Sequence, residues 1–154
     1  PNLDVRRFTP EFVPREVYNL RVVLGPQDDA FSEEGLQTFL NETYTVTPEF
    51  DRMGCRLNGA AIAHKNGADI ISDGIAFGAI QVPASGTPII MLADLQTTGG
   101  YTKIANVISA DFRLLSQLKA NDKVRFAKVS VAAAQDAKRA ERDALRVFAY
   151  AFGR

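Results

Sequence analysis

Short apolar runs separated by turn residues dominate the chain from residue 20 onward, and most of them are too short for helices. Leu20-Arg21-Val22-Val23-Leu24 reads as a buried strand stopped by Gly25-Pro26. Ser32 predicts the N-cap of a short helix. Glu33 and Glu34 occupy its first turn, and Leu36, Phe39 and Leu40 form its apolar face. Tyr44-Thr45-Val46-Thr47 predicts a β-branched strand, and Cys55-Arg56-Leu57 a further short one closed by the Asn58-Gly59 turn. In the glycine-rich middle, Ile70-Ile71 and residues 77–82 and 88–93 predict strands joined by tight turns, one of them at Ser85-Gly86-Thr87. Residues 103–109 take a strand assignment from Val107-Ile108. Residues 110–118 have helical spacing, with Phe112, Leu115 and Leu118 on one face and Ser109 or Asp111 as the cap. Asn121-Asp122 turns into an alternating strand over residues 124–129. Residues 131–148 form the strongest helix, with Ser130 as its N-cap and Gly153 past its end. Lys138 and Arg142 read as its solvated face.

Many short strands with two or three flanking helices predict a mainly β, α+β domain built on a barrel or sandwich-like core. Residues 1–18 are polar, carry three prolines and read as a linker or leader, which leaves residues 19–154 as the domain. At 154 residues and 46% hydrophobic, the chain suits one core. Eighteen basic residues balance eighteen acidic ones, which gives no electrostatic reason to expect nucleic acid or an anionic membrane as a partner. No apolar run is long enough to span a bilayer, and the start has no signal-peptide pattern. A lone Cys55 reads as a small buried hydrophobe in a reducing, cytoplasmic setting. With a single histidine, His64, in a polar stretch, no zinc site is expected.

Three polar clusters flank the central strands. Ser72 and Asp73 precede Gly74, which is also an ordinary turn signal. Gln81 is polar within an apolar strand. The third cluster, Asp94-Leu95-Gln96-Thr97-Thr98-Gly99-Gly100-Tyr101, offers more hydrogen-bonding groups than a hairpin needs, in what reads as a loop. Its glycine pair could free backbone N–H groups for an anion, and Asp94 could serve as a general base or orient an amide. The structural alternative is an Asx-type turn. No phosphate-binding P-loop is present.

Taken in order, Arg52-Met53-Gly54, Ala68-Asp69-Ile70-Ile71-Ser72-Asp73-Gly74, Gly78-Ala79-Ile80-Gln81-Val82-Pro83, residues 94–101, Lys103-Ile104-Ala105, Val107-Ile108-Ser109-Ala110-Asp111 and Gln117-Leu118 resemble the allophanate hydrolase subunit 2 family. That family includes KipA and the C subunit of 5-oxoprolinase, and it is similar to the carboxyltransferase domain of urea carboxylase. The resemblance spans about residues 20–129 and implies a cyclophilin-like antiparallel β-barrel, the C-terminal half of a subunit roughly twice as long. It implies a component of an ATP-dependent 5-oxoprolinase, a lactam hydrolase. The ATP belongs to the full complex, and the partners are the N-terminal half and an allophanate hydrolase subunit 1 or KipI-like subunit. In that setting Asp94 is the catalytic carboxylate. Ser72, Asp73, Gln81, Gln96, Thr97, Thr98, Gly99, Gly100 and Tyr101 line the substrate site, with the Gly99 and Gly100 N–H groups stabilising negative charge. The same resemblance admits a KipA-like antagonist of a histidine-kinase inhibitor and a urea- or allophanate-type carboxyltransferase. Leu95-Gln96-Thr97-Thr98 departs from the urea carboxylase loop, and no biotin-accepting Ala-Met-Lys-Met occurs, so biotin is not expected. Prolyl isomerisation would rest on the fold alone.

Overall fold

The alternation of apolar and polar side chains sets which face of each strand is buried. In β1 (Tyr18–Leu24), Tyr18, Leu20 and Val22 point inward, and in β9 (Lys123–Lys128), Val124 and Phe126 do the same. Residues 16–152 are described by a computed structural model. Tyr18, at the end of the predicted linker, is buried in the core. The rest of the predicted leader, residues 1–15, lies outside the described residues.

Seven strands close into a barrel in the order β1, β8 (Lys103–Val107), β5 (Ala79–Gln81), β6 (Ile89–Met91), β3 (Gly54–Asn58), β2 (Tyr44–Val46) and β9. Parallel pairing of β9 with β1 completes the ring, and every other pair is antiparallel. Closure leaves the barrel no open edge. The mainly β, cyclophilin-like expectation with flanking helices is borne out. Helix α1 (Glu33–Asn41) starts where Ser32 Oγ accepts the Gly35 N–H at 2.9 Å, as the N-cap pattern predicts. Its Phe39 stacks on Phe126 with ring centroids 4.5 Å apart. Cys55 is fully buried, and burial pushes its thiol up to about 12, so it is a core hydrophobe.

Two expectations are corrected. The predicted helix over 110–118 is a 3-10 turn at Ser109–Asp111 followed by the single turn α2 (Phe112–Leu115). Asp111, one of the two predicted candidates, sits at its N-cap position but gives it no side-chain cap, because its carboxylate is engaged by Arg21 of β1: the Arg21 backbone N–H donates to Oδ2 at 2.8 Å and Nε at 3.1 Å. Ile70-Ile71 form a strand, as predicted, but not one of the barrel. They lie in β4 (Asp69–Gly74), which pairs with β7 (Thr98–Tyr101) as a two-stranded ribbon outside the barrel, and Ile71 is 93% exposed. The final helix, α3 (Val131–Phe152), runs four residues further than predicted. Ser130 Oγ accepts the Ala133 N–H at 3.2 Å, and the predicted stop at Gly153 lies outside the described residues. Lys138 is solvated, as predicted, and pairs with Glu141 at 2.7 Å. No helix among the described residues is long and apolar enough to cross a membrane.

His64 is half-buried, not free in solvent. Its Nε2 lies 3.0 Å from Thr102 Oγ1, and its ring centroid is 4.5 Å from that of Phe31. Burial holds its pKa below the ordinary 6.5, against a weaker opposing effect of a hydrogen bond to the Val82 backbone. A folded-state pKa below the unfolded value means that protonation favours unfolding. The stabilisation is complete above about pH 6.5 and is lost as pH falls toward the folded-state value. The urea midpoint is therefore expected to drop between pH 7 and pH 5.5, and to drop less in His64→Gln, which keeps a polar atom near Thr102 without titrating. Equal drops in both proteins would remove His64 as the cause.

Candidate functional site

The ribbon and the barrel between them wall a cleft of about 590 Å³. Its floor comes from β3, β5 and β6, where Arg56, Gln81, Ile89 and Met91 face it. Its rims carry Glu49, Asp51, Ser85, Thr87, Gln96 and Tyr101. Asp51 braces one rim by accepting the Met53 and Gly54 N–H groups at 2.8 and 2.9 Å. Gly86, at φ +77° and with its N–H on the Pro83 carbonyl at 2.9 Å, makes the predicted turn that presents Ser85 and Thr87.

Three of the predicted site residues meet in this cleft: Gln81, Gln96 and Tyr101. Gln81 sits between the fully buried Ile80 and Val82 and is itself 5% exposed, so it does not stand on a solvated strand face. Its Nε2 has no hydrogen-bond partner among the described residues. Gly99 lies against it, for a Cβ at position 99 would stand 2.7 Å from Gln81 Nε2 and 2.7 Å from Ile75 Cδ1. Glycine at 99 thus serves close packing on Gln81.

The other predicted residues fall elsewhere. Gly99 and Gly100 are in strand β7, with Gly99 in register with Asp73 and Thr98 with Gly74, so the stretch read as a loop is half strand. Thr97 supplies a backbone carbonyl to the Ile75 N–H at 3.1 Å, and its side chain is exposed, as is that of Thr98. Ser72 stands on the exposed ribbon. Asp94 does not line the cleft. Its two carboxylate oxygens meet the Arg52 guanidinium at 2.9 and 3.1 Å, and its N–H donates to the Arg52 carbonyl at 2.9 Å.

Asp73 belongs to a second polar group, at the joint between ribbon and barrel. Lys103 Nζ approaches Asp73 Oδ2 to 3.2 Å at ion-pair distance, without hydrogen-bond alignment, and the lysine side chain is 2% exposed. Gln27 links the two: its Nε2 donates to Asp73 Oδ2 at 3.3 Å, and its Oε1 accepts the Lys103 N–H at 3.1 Å. The Gly74 N–H first, then the Lys103 ammonium, hold the Asp73 carboxyl below its ordinary range. Reading from sequence missed Lys103, because one lysine opening an apolar run looks like a solvated strand end. Arg56 did carry a signal, as the outward position between Cys55 and Leu57.

Residues 4–128 match the family described as carboxyltransferase domain, subdomain A and B, and the chain belongs to that family. It is 38% identical over 120 residues to the C subunit of 5-oxoprolinase from Haemophilus influenzae, covering 78% of this chain and 39% of that protein. It is 32% identical over 129 residues to the Escherichia coli counterpart of the same name, covering 84% and 41%. The chain thus spans about two fifths of the length of these curated relatives. The structure of the Kluyveromyces lactis urea amidolyase superposes with a TM-score of 0.82 at 24% identity. It covers 90% of this chain and 9% of that one, a likeness of fold.

Proposed function

We propose that this chain is the cleft-bearing part of a 5-oxoprolinase-type subunit that acts with partner subunits in the ATP-dependent opening of the 5-oxoproline lactam to glutamate. The observation that carries this reading is the likeness to the 5-oxoprolinase C subunit over more than three quarters of the chain. The cleft supports it chemically. A lactam is a cis amide that presents one N–H and one C=O side by side, and the Gln81 Oε1 offers an acceptor to that N–H. Tyr101 and Gln96 add hydroxyl and amide groups on the ribbon side. The sequence has no P-loop, so in this reading the nucleotide is bound by the partner subunits.

The test is turnover by the assembled complex, purified with its partner subunits and supplied with ATP and either 5-oxoproline or urea. Glutamate formation from 5-oxoproline alone supports the reading. Consumption of urea, or ATP hydrolysis indifferent to both, overturns it and favours the carboxyltransferase or regulatory alternative.

Asp94 gives a second readout from the same assembly. Exposed ion pairs contribute about 0–1 kcal/mol, so Asp94→Asn is expected to lower turnover by less than about tenfold. A fall beyond about a hundredfold would return the general-base role to Asp94.

A further inference from the structure

Two register pairs face each other where the ribbon meets the barrel. Gln81 is opposite Lys103 across β5 and β8, and Asp73 is opposite Gly99 across β4 and β7. Gly99 lies against Gln81 Nε2, and Asp73 against Lys103 Nζ. Gln81 and Lys103 are each more than nine-tenths buried; among the described residues Gln81 Nε2 has no hydrogen-bond partner, and Lys103 Nζ has only the 3.2 Å ion pair with Asp73. An ammonium and an amide nitrogen offer only donors, and unpaired buried donors are costly to leave unmatched. Together they call for one anion with two acceptor oxygens. Asp73 meets that demand in part: one oxygen reaches Lys103, and no hydrogen bond joins it to Gln81. Its side chain is 55% exposed and stands on a solvated ribbon, so it has room to turn outward.

We propose that this joint is a carboxylate seat, in which Asp73 stands in for the carboxylate of a small lactam acid until the ligand displaces it. The ligand carboxylate pairs with Lys103 Nζ and Gln81 Nε2, and Asp73 turns to solvent. The ring then lies toward the cleft whose floor Gln81 shares. Naming the ligand a lactam rests on the functional reading above, whereas the seat itself rests on the buried donors.

Titrations of the 154-residue chain with 5-oxoproline and with 5-oxoprolinamide, which keeps the ring but not the charge, test this by calorimetry or NMR. The acid is expected to bind at least about tenfold tighter than the amide, the scale of a charge-assisted hydrogen bond. Lys103→Met should abolish that preference, and Gln81→Leu should weaken acid binding by about tenfold. Asp73→Asn is the discriminating variant, since it removes the stand-in and should tighten acid binding several-fold. A merely structural Asp73 would give unchanged or weaker binding. Backbone amide spectra identify folded variants, and Asp73→Asn changes an exposed residue. Equal affinity for acid and amide, or weakened binding in Asp73→Asn, overturns the seat. Lactam opening by the assembled complex with an unchanged KM in Lys103→Met also overturns it and leaves the functional reading standing. Acid-selective binding in an assembly that opens no lactam supports the seat and defeats that reading.

Discussion

Alanine at position 35 is expected to destabilise the protein by about 2 kcal/mol, although alanine is the better helix former. Gly35 sits in the first turn of α1, where a Cβ would lie 2.2 Å from the Ala63 carbonyl oxygen and 3.0 Å from the Ala63 nitrogen. Those atoms are backbone. The same carbonyl also receives the Ser32 N–H at 3.0 Å and the Ser32 hydroxyl at 3.3 Å, so it cannot retreat without loosening the helix start. Overpacking of this kind costs roughly 3 kcal/mol. The gain in helix propensity offsets about 1 kcal/mol. Urea denaturation should show a lower midpoint at unchanged slope, and a raised midpoint would show that the Ala63 segment yields freely.

Asp111→Ala should cost about 2–3 kcal/mol. The Asp111 side chain is 4% exposed, and its two oxygens take the Arg21 backbone N–H, Nε and Nη2. The pair raises the Arg21 pKa above its usual value, mainly through the hydrogen bonds. Breaking a fully buried pair costs about 3–5 kcal/mol, and the 41% exposure of Arg21 reduces this, because water can take over part of the guanidinium. The contact ties the 3-10 turn at Ser109–Asp111 to β1, and α3 packs on both. Faster amide exchange in α2 and α3 than in the barrel strands should therefore accompany the lower midpoint. A loss below about 0.5 kcal/mol would mean that the pair is replaced by solvent.

Local rules made much of this architecture readable. The caps at Ser32 and Ser130 and the alternation in β1 and β9 depend on residues a few positions apart. What sequence concealed depends on distant partners. The Gly99-Gly100 centre of β7 has little strand propensity of its own and becomes strand because β4 lies beside it. Asp111 looks like a helix cap, yet its partner is 90 residues away. In the candidate site, Gln81 stood out as polar among apolar neighbours. The burial of Lys103 was invisible, because it depends on the ribbon folding over it. Asp94 stands at a strand end, and its partner Arg52 lies 42 residues earlier, a pairing no local pattern shows.

We propose that a lactam binds in the cleft floored by Gln81 and rimmed by Gln96 and Tyr101. Titrating 5-oxoproline into the isotope-labelled chain and following its NMR spectrum tests this most directly. Saturable shifts in the Gln81 side-chain amide and in the backbone amides of Gln96 and Tyr101, with α3 unmoved, are the predicted result. Saturable shifts centred on Arg52 and Asp94 or on α3, or a spectrum indifferent to the ligand, would contradict it.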